Sequence, residues 1–131
     1  MLGAKNASAT LAVKDMDTAR GFYENTLGLT PAEGGPSDPH AVLYRSGDSV
    51  VLVYQSAYAG TNQATAASWA VGNDFDAIVQ DLKQKGVTFE HYDDLPGATR
   101  EGDVHVIADD FKAVWFKDPD GNILNLINQS M

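Results

Sequence analysis

The sequence predicts an α+β fold made of two βαβββ modules, and three observations carry that prediction. First, Ala9-Thr10-Leu11-Ala12-Val13-Lys14-Asp15 lies over Ala67-Ser68-Trp69-Ala70-Val71-Gly72-Asn73 at a constant offset of 58 positions. Second, each copy runs into a helical pattern that is followed by three strand-like runs. Third, Tyr44-Arg45-Ser46-Gly47-Asp48 lies over Phe116-Lys117-Asp118-Pro119-Asp120, and Val50-Val51-Leu52-Val53 over Ile123-Leu124-Asn125-Leu126 after one inserted glycine, Gly121. Two matches in the same order describe a duplicated unit, and a half that cannot bury its own apolar face must pair with its copy.

The elements follow in order. Asp15 or Asp17 caps the first helix, Ala19, Phe22, Tyr23 and Leu27 recur near helical spacing, and Gly28 stops it. In the second helix Asn73 or Asp74 is the cap, and Phe75, Ile78, Val79 and Leu82 fall at i, i+3, i+4 and i+7. Lys83 and Lys85 suit its negative end, and Gly86 terminates it. Strands are expected over 29–34, 41–45 and 50–54 in the first half, and over 87–92, 113–117 and 123–127 in the second. Residues 55–64, rich in Gly, Thr, Asn and Gln, form the hinge, and 93–110 reads as a long loop serving as a rim or lid. The 131 residues are expected to form one domain, with module 1 at about 5–55 and module 2 at about 65–129.

Composition narrows the function. With 44% hydrophobic and 21% charged residues the chain can bury roughly two-thirds of its unfolded surface. No cysteine means no disulfide, thiolate metal site, iron–sulfur cluster or thiol nucleophile. A net charge of −9 serves solubility, disfavours nucleic acid and anionic membranes, and attracts small cations. There is no long apolar run and no apolar stretch near the N-terminus, so a cytoplasmic location is expected. Gly34-Gly35-Pro36 is a turn signal, and the sequence offers neither a Gly-rich phosphate loop nor a nucleophile elbow.

Two βαβββ modules, Val13-Lys14-Asp15-Met16-Asp17 before Gly21-Phe22-Tyr23 and Leu27-Gly28-Leu29, and the closing Lys117-Asp118-Pro119-Asp120-Gly121-Asn122 resemble the vicinal oxygen chelate superfamily. That superfamily includes glyoxalase I, fosfomycin-modifying enzymes, extradiol dioxygenases and bleomycin-resistance proteins. The resemblance covers nearly the whole chain and implies a half-barrel cup. Because one scaffold hosts many chemistries, it says little of the reaction. In the metal enzymes of the family, four strand positions supply His or Glu. Here the corresponding positions hold Ser8, Leu52, Ala66 and Asn125. A hydroxyl, an isobutyl group, a methyl group and an amide provide no ionised ligand for a divalent cation, so neither metal nor other cofactor is expected. His40, His91 and His105 lie outside these positions and read as solvated or rim histidines. Glu90, Glu101 and His105 are the weak candidates for acid–base chemistry.

Strand alternation from the old ligand positions marks the inward face. Ser8, Thr10 and Ala12 share it with Ala66, Ser68 and Ala70, as do Val50, Leu52 and Tyr54, and Ile123, Asn125 and Ile127. A five-residue loop, 118–122, sets Trp115 opposite Asn125, and a four-residue loop, 46–49, sets Leu43 opposite Leu52. The expected ligand-binding set is Trp115, Tyr54, Asn125, Leu52, Leu43, Ser8, Thr10, Ala66 and Ser68, with Trp115 as the stacking plane. The alternative for Trp115 is a core ring that fills the cup. Trp69 has the opposite parity and, with Phe22, Phe75 and Phe116, is expected to pack against the helices or in the core. Tyr58 and Tyr92 read as rim aromatics or exposed turn residues.

The resemblance to metal-free members implies a drug-sequestering protein of the bleomycin-resistance kind, a homodimer holding a flat aromatic or cationic natural product as self-resistance to an antibiotic. Two alternatives stand beside it: a metal-independent lyase or isomerase using the acid–base candidates, and a structural or regulatory module with a filled cup.

Overall fold

The computed structural model describes residues 1–36, 38–108 and 110–130. Two compact units divide the chain: one contains residues 1–62 and 119–122, the other 63–118 and 123–131.

Unit 1 opens with a short 3-10 turn, Leu2–Ala4, and strand β1, Ala9–Val13. The Asp15 carboxylate accepts the Thr18 N–H at 3.0 Å and starts helix α1, Met16–Arg20. α1 does not continue as the regular helix expected to Gly28; the chain widens into a π-helical turn, Gly21–Thr26, before Gly28 at φ 75°. That widening changes which ring is central. Tyr23 is fully buried and stacks on Tyr44 at 6.1 Å, whereas Phe22, expected in the core, is only half-buried. The Tyr44 hydroxyl, also buried, donates to Glu24 Oε2 at 2.8 Å.

Strands β2 (Thr30–Pro31), β3 (Ala41–Ser46) and β4 (Ser49–Gln55) complete a sheet in the order β1-β4-β3-β2. β2 is far shorter than the run expected over 29–34, because Pro31 lacks an N–H and tolerates only an edge position. The β3–β4 connection is a two-residue turn, Gly47-Asp48, not a four-residue loop. Since Ser46 pairs with Ser49, the register is unchanged and Leu43 faces Leu52. One sheet face is core: Leu11, Val13, Val42, Tyr44, Val51 and Val53 are buried. The other carries Thr10, Ala12, Leu43, Leu52 and Tyr54, all more exposed.

Unit 2 repeats the plan. β5 (Thr65–Ala70) leads through a 3-10 turn, Gly72–Asp74, into α2, Phe75–Gln84. That turn replaces the expected side-chain cap at Asn73 or Asp74. Phe75, Val79 and Leu82 form its buried stripe, each contributing about 1.5–3 kcal/mol by burial. The Gly86 and Val87 N–H groups close the helix on Lys83 and Leu82 carbonyls. β6 (Phe89–Glu90), β7 (Ala98–Glu101), β8 (Val104–Ile107), β9 (Phe111–Lys117) and β10 (Ile123–Ile127) follow. The sheet runs β5-β10-β9-β8-β7, with β6 also pairing β9.

The expected loop 93–110 therefore contains a hairpin, β7–β8, turning at Gly102-Asp103, with 93–97 left as an irregular connection; Asp109, within that stretch, lies outside the described residues. Alternation failed to signal it because Ala98-Thr99-Arg100-Glu101 carries no apolar face. Register demonstrates the duplication. Thr10 pairs with Leu52 in unit 1 and Ser68 with Asn125 in unit 2, the equivalent pairs of the sequence repeat. The correspondence ends at Ala66, where a bulge pairs Thr65 with Ile123 and Ala67 with Leu124, leaving Ala66 off the ladder.

Candidate functional site

The site of unit 2 is built on one sheet face. Residues directly opposite on antiparallel strands share a face, so the pairs Asn125–Trp115, Ile123–Lys117, Glu90–Trp115 and Ala113–His105 bring those side chains together. The sequence-predicted partnership of Trp115 with Asn125 is present, and Trp69 pairs with Leu126 on the opposite face.

An open cavity of about 260 Å³ lies on this face, lined by Gln63, Ala64, Thr65, Tyr92, Leu95, Trp115 and Ile123. Trp115 is half-buried and its indole Nε1 donates to Thr65 Oγ1 at 3.1 Å. Tyr92 meets Trp115 edge-on at 5.5 Å, and His105 meets it edge-on at 4.9 Å. Tyr92 is thus half-buried against Trp115 rather than an exposed turn residue. His105 departs further from expectation: it is 1% exposed and accepts the Tyr92 N–H at 2.9 Å on Nε2. Burial pushes its pKa down, Arg100 and His91 add to that, and the facing Ala113 backbone and Asp93 oppose it. Burial also pushes the Tyr92 phenol up, helped by Glu90.

The other histidines are exposed. His40 lies 2.7 Å from Asp38, and His91 lies 2.7 Å from Asp103, which Lys83 also approaches at 2.8 Å. His91 and then Lys83 hold the Asp103 carboxyl below the usual carboxylate range. The acid–base candidates are not assembled among the described residues. Glu90 is ion-paired with Lys117 at 3.4 Å on the Trp115 face. Glu101 faces Val104, one residue out of phase with the Arg100–His105 pair, and so points away from His105.

The four positions that the resemblance implies as metal-ligand positions fall as follows. In unit 1, Ser8 is exposed just before β1 and Leu52 stands on the open sheet face. In unit 2, Ala66 occupies the bulge and Asn125, 6% exposed, donates to the Val114 carbonyl at 3.1 Å. None carries an ionisable donor, and no group of three or more His, Asp or Glu side chains among the described residues could hold a metal. The donor set does not fit a divalent cation. Unit 1 has a separate cavity of about 210 Å³ lined by Arg20, the 31–36 turn and 41–43, including Leu43. Sequence reasoning missed Thr65, Gln63 and Ala64 as pocket residues and gave Tyr92 and the stretch holding Leu95 only as candidate rim; the β6–β9 pairing, had it been visible, would have put Tyr92 beside Trp115.

The family model for the Glyoxalase/Bleomycin resistance protein/Dioxygenase superfamily matches residues 6–126. The chain belongs to this superfamily. Its vicinal oxygen chelate fold recurs in solved structures. A superfamily member from Sphaerobacter thermophilus DSM 20745 is 25% identical, with TM-score 0.62, covering 92% of this chain and 93% of that one. A lactoylglutathione lyase from Agrobacterium tumefaciens is 17% identical with TM-score 0.68, over 94% and 92%. The fosfomycin resistance protein FosX of Mesorhizobium loti is 13% identical with TM-score 0.63, over 96% and 92%. No curated protein matches the sequence. Within the superfamily, this glyoxalase-like chain keeps the scaffold. No helix among its described residues is long and apolar enough to cross a membrane.

Proposed function

We propose that this superfamily member binds a flat, aromatic or cationic small molecule reversibly and without a metal, in the manner of a drug-sequestering protein. The supporting observation is Trp115, a half-exposed indole walling an open cavity and fixed there by Thr65, Tyr92 and His105. An indole whose N–H is already bonded inside the protein offers its π-face, which suits stacking with a planar ring. The net charge of −9 favours a cation. Asn125, Ser68 and Ala66 remain proposed contacts in this unit; Ser8, Thr10, Leu43, Leu52 and Tyr54 remain proposed contacts for a small molecule on unit 1 taken by itself. A homodimer belongs to the proposal on family grounds alone.

Methyl viologen, a flat aromatic dication that quenches indoles on contact, and its neutral relative 4,4′-bipyridine are suitable probes. In a Trp69→Phe variant the Trp115 emission should be quenched saturably, whereas the Trp69 emission of a Trp115→Phe variant should barely respond. Loss of the stacking plane should weaken binding by about 1 kcal/mol. Equal quenching in both variants would refute the assignment. Mass spectrometry of the probe after incubation with catalytic protein should return it unchanged; multiple turnovers would replace sequestration by catalysis.

A further inference from the structure

Two buried polar side-chain atoms, Tyr92 Oη and His105 Nδ1, make no well-formed hydrogen bond among the described residues, the Ala113 backbone acting on the imidazole without closing one. They belong to neighbouring rings, 6.1 Å apart. The backbone N–H of Tyr92 can only donate, so His105 Nε2, 2.9 Å away, must accept, and the proton of the neutral ring sits on Nδ1. The same imidazole stands edge-on to Trp115 at 4.9 Å. His105 therefore touches both aromatic walls of the cavity, one through a hydrogen bond and the other through a ring contact, while not lining the cavity itself.

We propose that His105 is the positioning residue of this pocket: its neutral imidazole holds the Tyr92 backbone and the Trp115 ring in the binding arrangement, and protonation of the ring releases both. The inference rests on the ligand-binding reading of the pocket. A proton on Nε2 sets two N–H donors against each other across 2.9 Å, so the hydrogen bond to Tyr92 is lost and a repulsion replaces it. Among the described residues, no buried carboxylate stands beside the ring to neutralise the new charge. β7 presents Arg100, a like charge already bound to Asp93; β6 presents Glu90, ion-paired with Lys117 of β9; the segment after β6 presents Tyr92, His91, engaged with Asp103, and Asp93, engaged with Arg100; β9 presents Trp115 and the Ala113 backbone, which with Asp93 favours the charged ring but less than burial opposes it. The pocket thus holds its ligand at neutral pH and loosens in acid.

The first test needs no ligand. At about pH 7.5, nitrogen-15 NMR should show His105 Nε2 unprotonated and accepting, with the proton on Nδ1; a protonated Nε2 overturns the proposal. In the Trp69→Phe protein, Trp115 emission should step over the same acidic range in which that nitrogen titrates. His105→Gln, which offers an acceptor that does not titrate, should abolish the step, and His91→Gln should leave it in place. A step that survives His105→Gln, or whose midpoint differs from that of the nitrogen titration, overturns the proposal, and the midpoint comparison stands even if His105→Gln fails to fold. Methyl viologen should then bind about fivefold or more weakly at about pH 5 than at about pH 7.5 in the parent, and within about twofold in His105→Gln. Equal affinity at both pH values in the parent defeats His105 as the positioning residue and leaves the binding reading intact. Absence of methyl viologen binding at either pH, with the expected nitrogen and Trp115 titrations, defeats the binding reading and supports His105 as the group that sets the two rings.

Discussion

A buried imidazole makes stability depend on pH with a definite sign. The folded pKa of His105 lies below its ordinary value of 6.5, so the unfolded chain binds more protons in mild acid. The stabilisation from its neutral state is complete above about pH 6.5 and declines as pH falls below that. We expect urea midpoints to drop across this window in the parent and to flatten in His105→Gln. Asp103 behaves separately: held low by His91 and Lys83, it contributes above its ordinary 3.8 and loses that contribution only as pH falls further. Tyr44 makes a second residue-scale case, because its buried hydroxyl donates to Glu24 and both burial and Glu24 push its pKa up. Tyr44→Phe should cost about 1 kcal/mol by equilibrium unfolding, the value of one such hydrogen bond, and unchanged stability would show the bond to be replaced by water. Neither His105 nor Tyr44 was legible as a buried polar group, since burial depends on which strands lie alongside.

Elements differ in how far local residues specify them. α2 was legible because its apolar stripe, basic last turn and Gly86 agree, whereas α1 widens into a π-helical turn that the spacing of Phe22 and Tyr23 does not encode. Both hairpin registers, Leu43 with Leu52 and Trp115 with Asn125, followed from turn position and strand alternation. The β7–β8 hairpin did not, because its strands are polar or mixed and it gains its place through the pairing of β8 with β9. A glycine contrast tests connections at this scale within unit 1. Gly60 has φ 76°, and a Cβ there would collide with the Asp120 carbonyl oxygen; Gly28 has φ 75° and open space around it. Gly28→Ala should cost about 1 kcal/mol for backbone strain alone, and Gly60→Ala about 2 kcal/mol or more as overpacking adds to it. Urea midpoints at unchanged m decide, and equal costs would remove the close approach as the cause.

For the whole molecule, donor chemistry and net charge set the expectations. With Ser8, Leu52, Ala66 and Asn125 at the family's metal positions, protein purified without chelator should carry no stoichiometric metal, and zinc, nickel, manganese or iron should not raise Tm. One tightly held metal per chain by elemental analysis would overturn that reading. Association of methyl viologen should slow as salt screens the charge of −9, and a rate independent of ionic strength would remove steering. The duplicated βαβββ plan and the sets of residues that share a face of each principal strand are legible in the sequence, because each is local, fixed by periodicity or turn spacing. Folding in three dimensions is what buries His105 beneath Tyr92 and Trp115, sets Thr65 rather than Ala66 opposite Ile123, and brings Tyr92 and Leu95 to the cavity wall with Trp115. Those arrangements depend on β6 and β8 both pairing with β9 and on a bulge in β5. Such long-range pairings are selected by the summed burial of many side chains, and no short stretch of sequence records that sum.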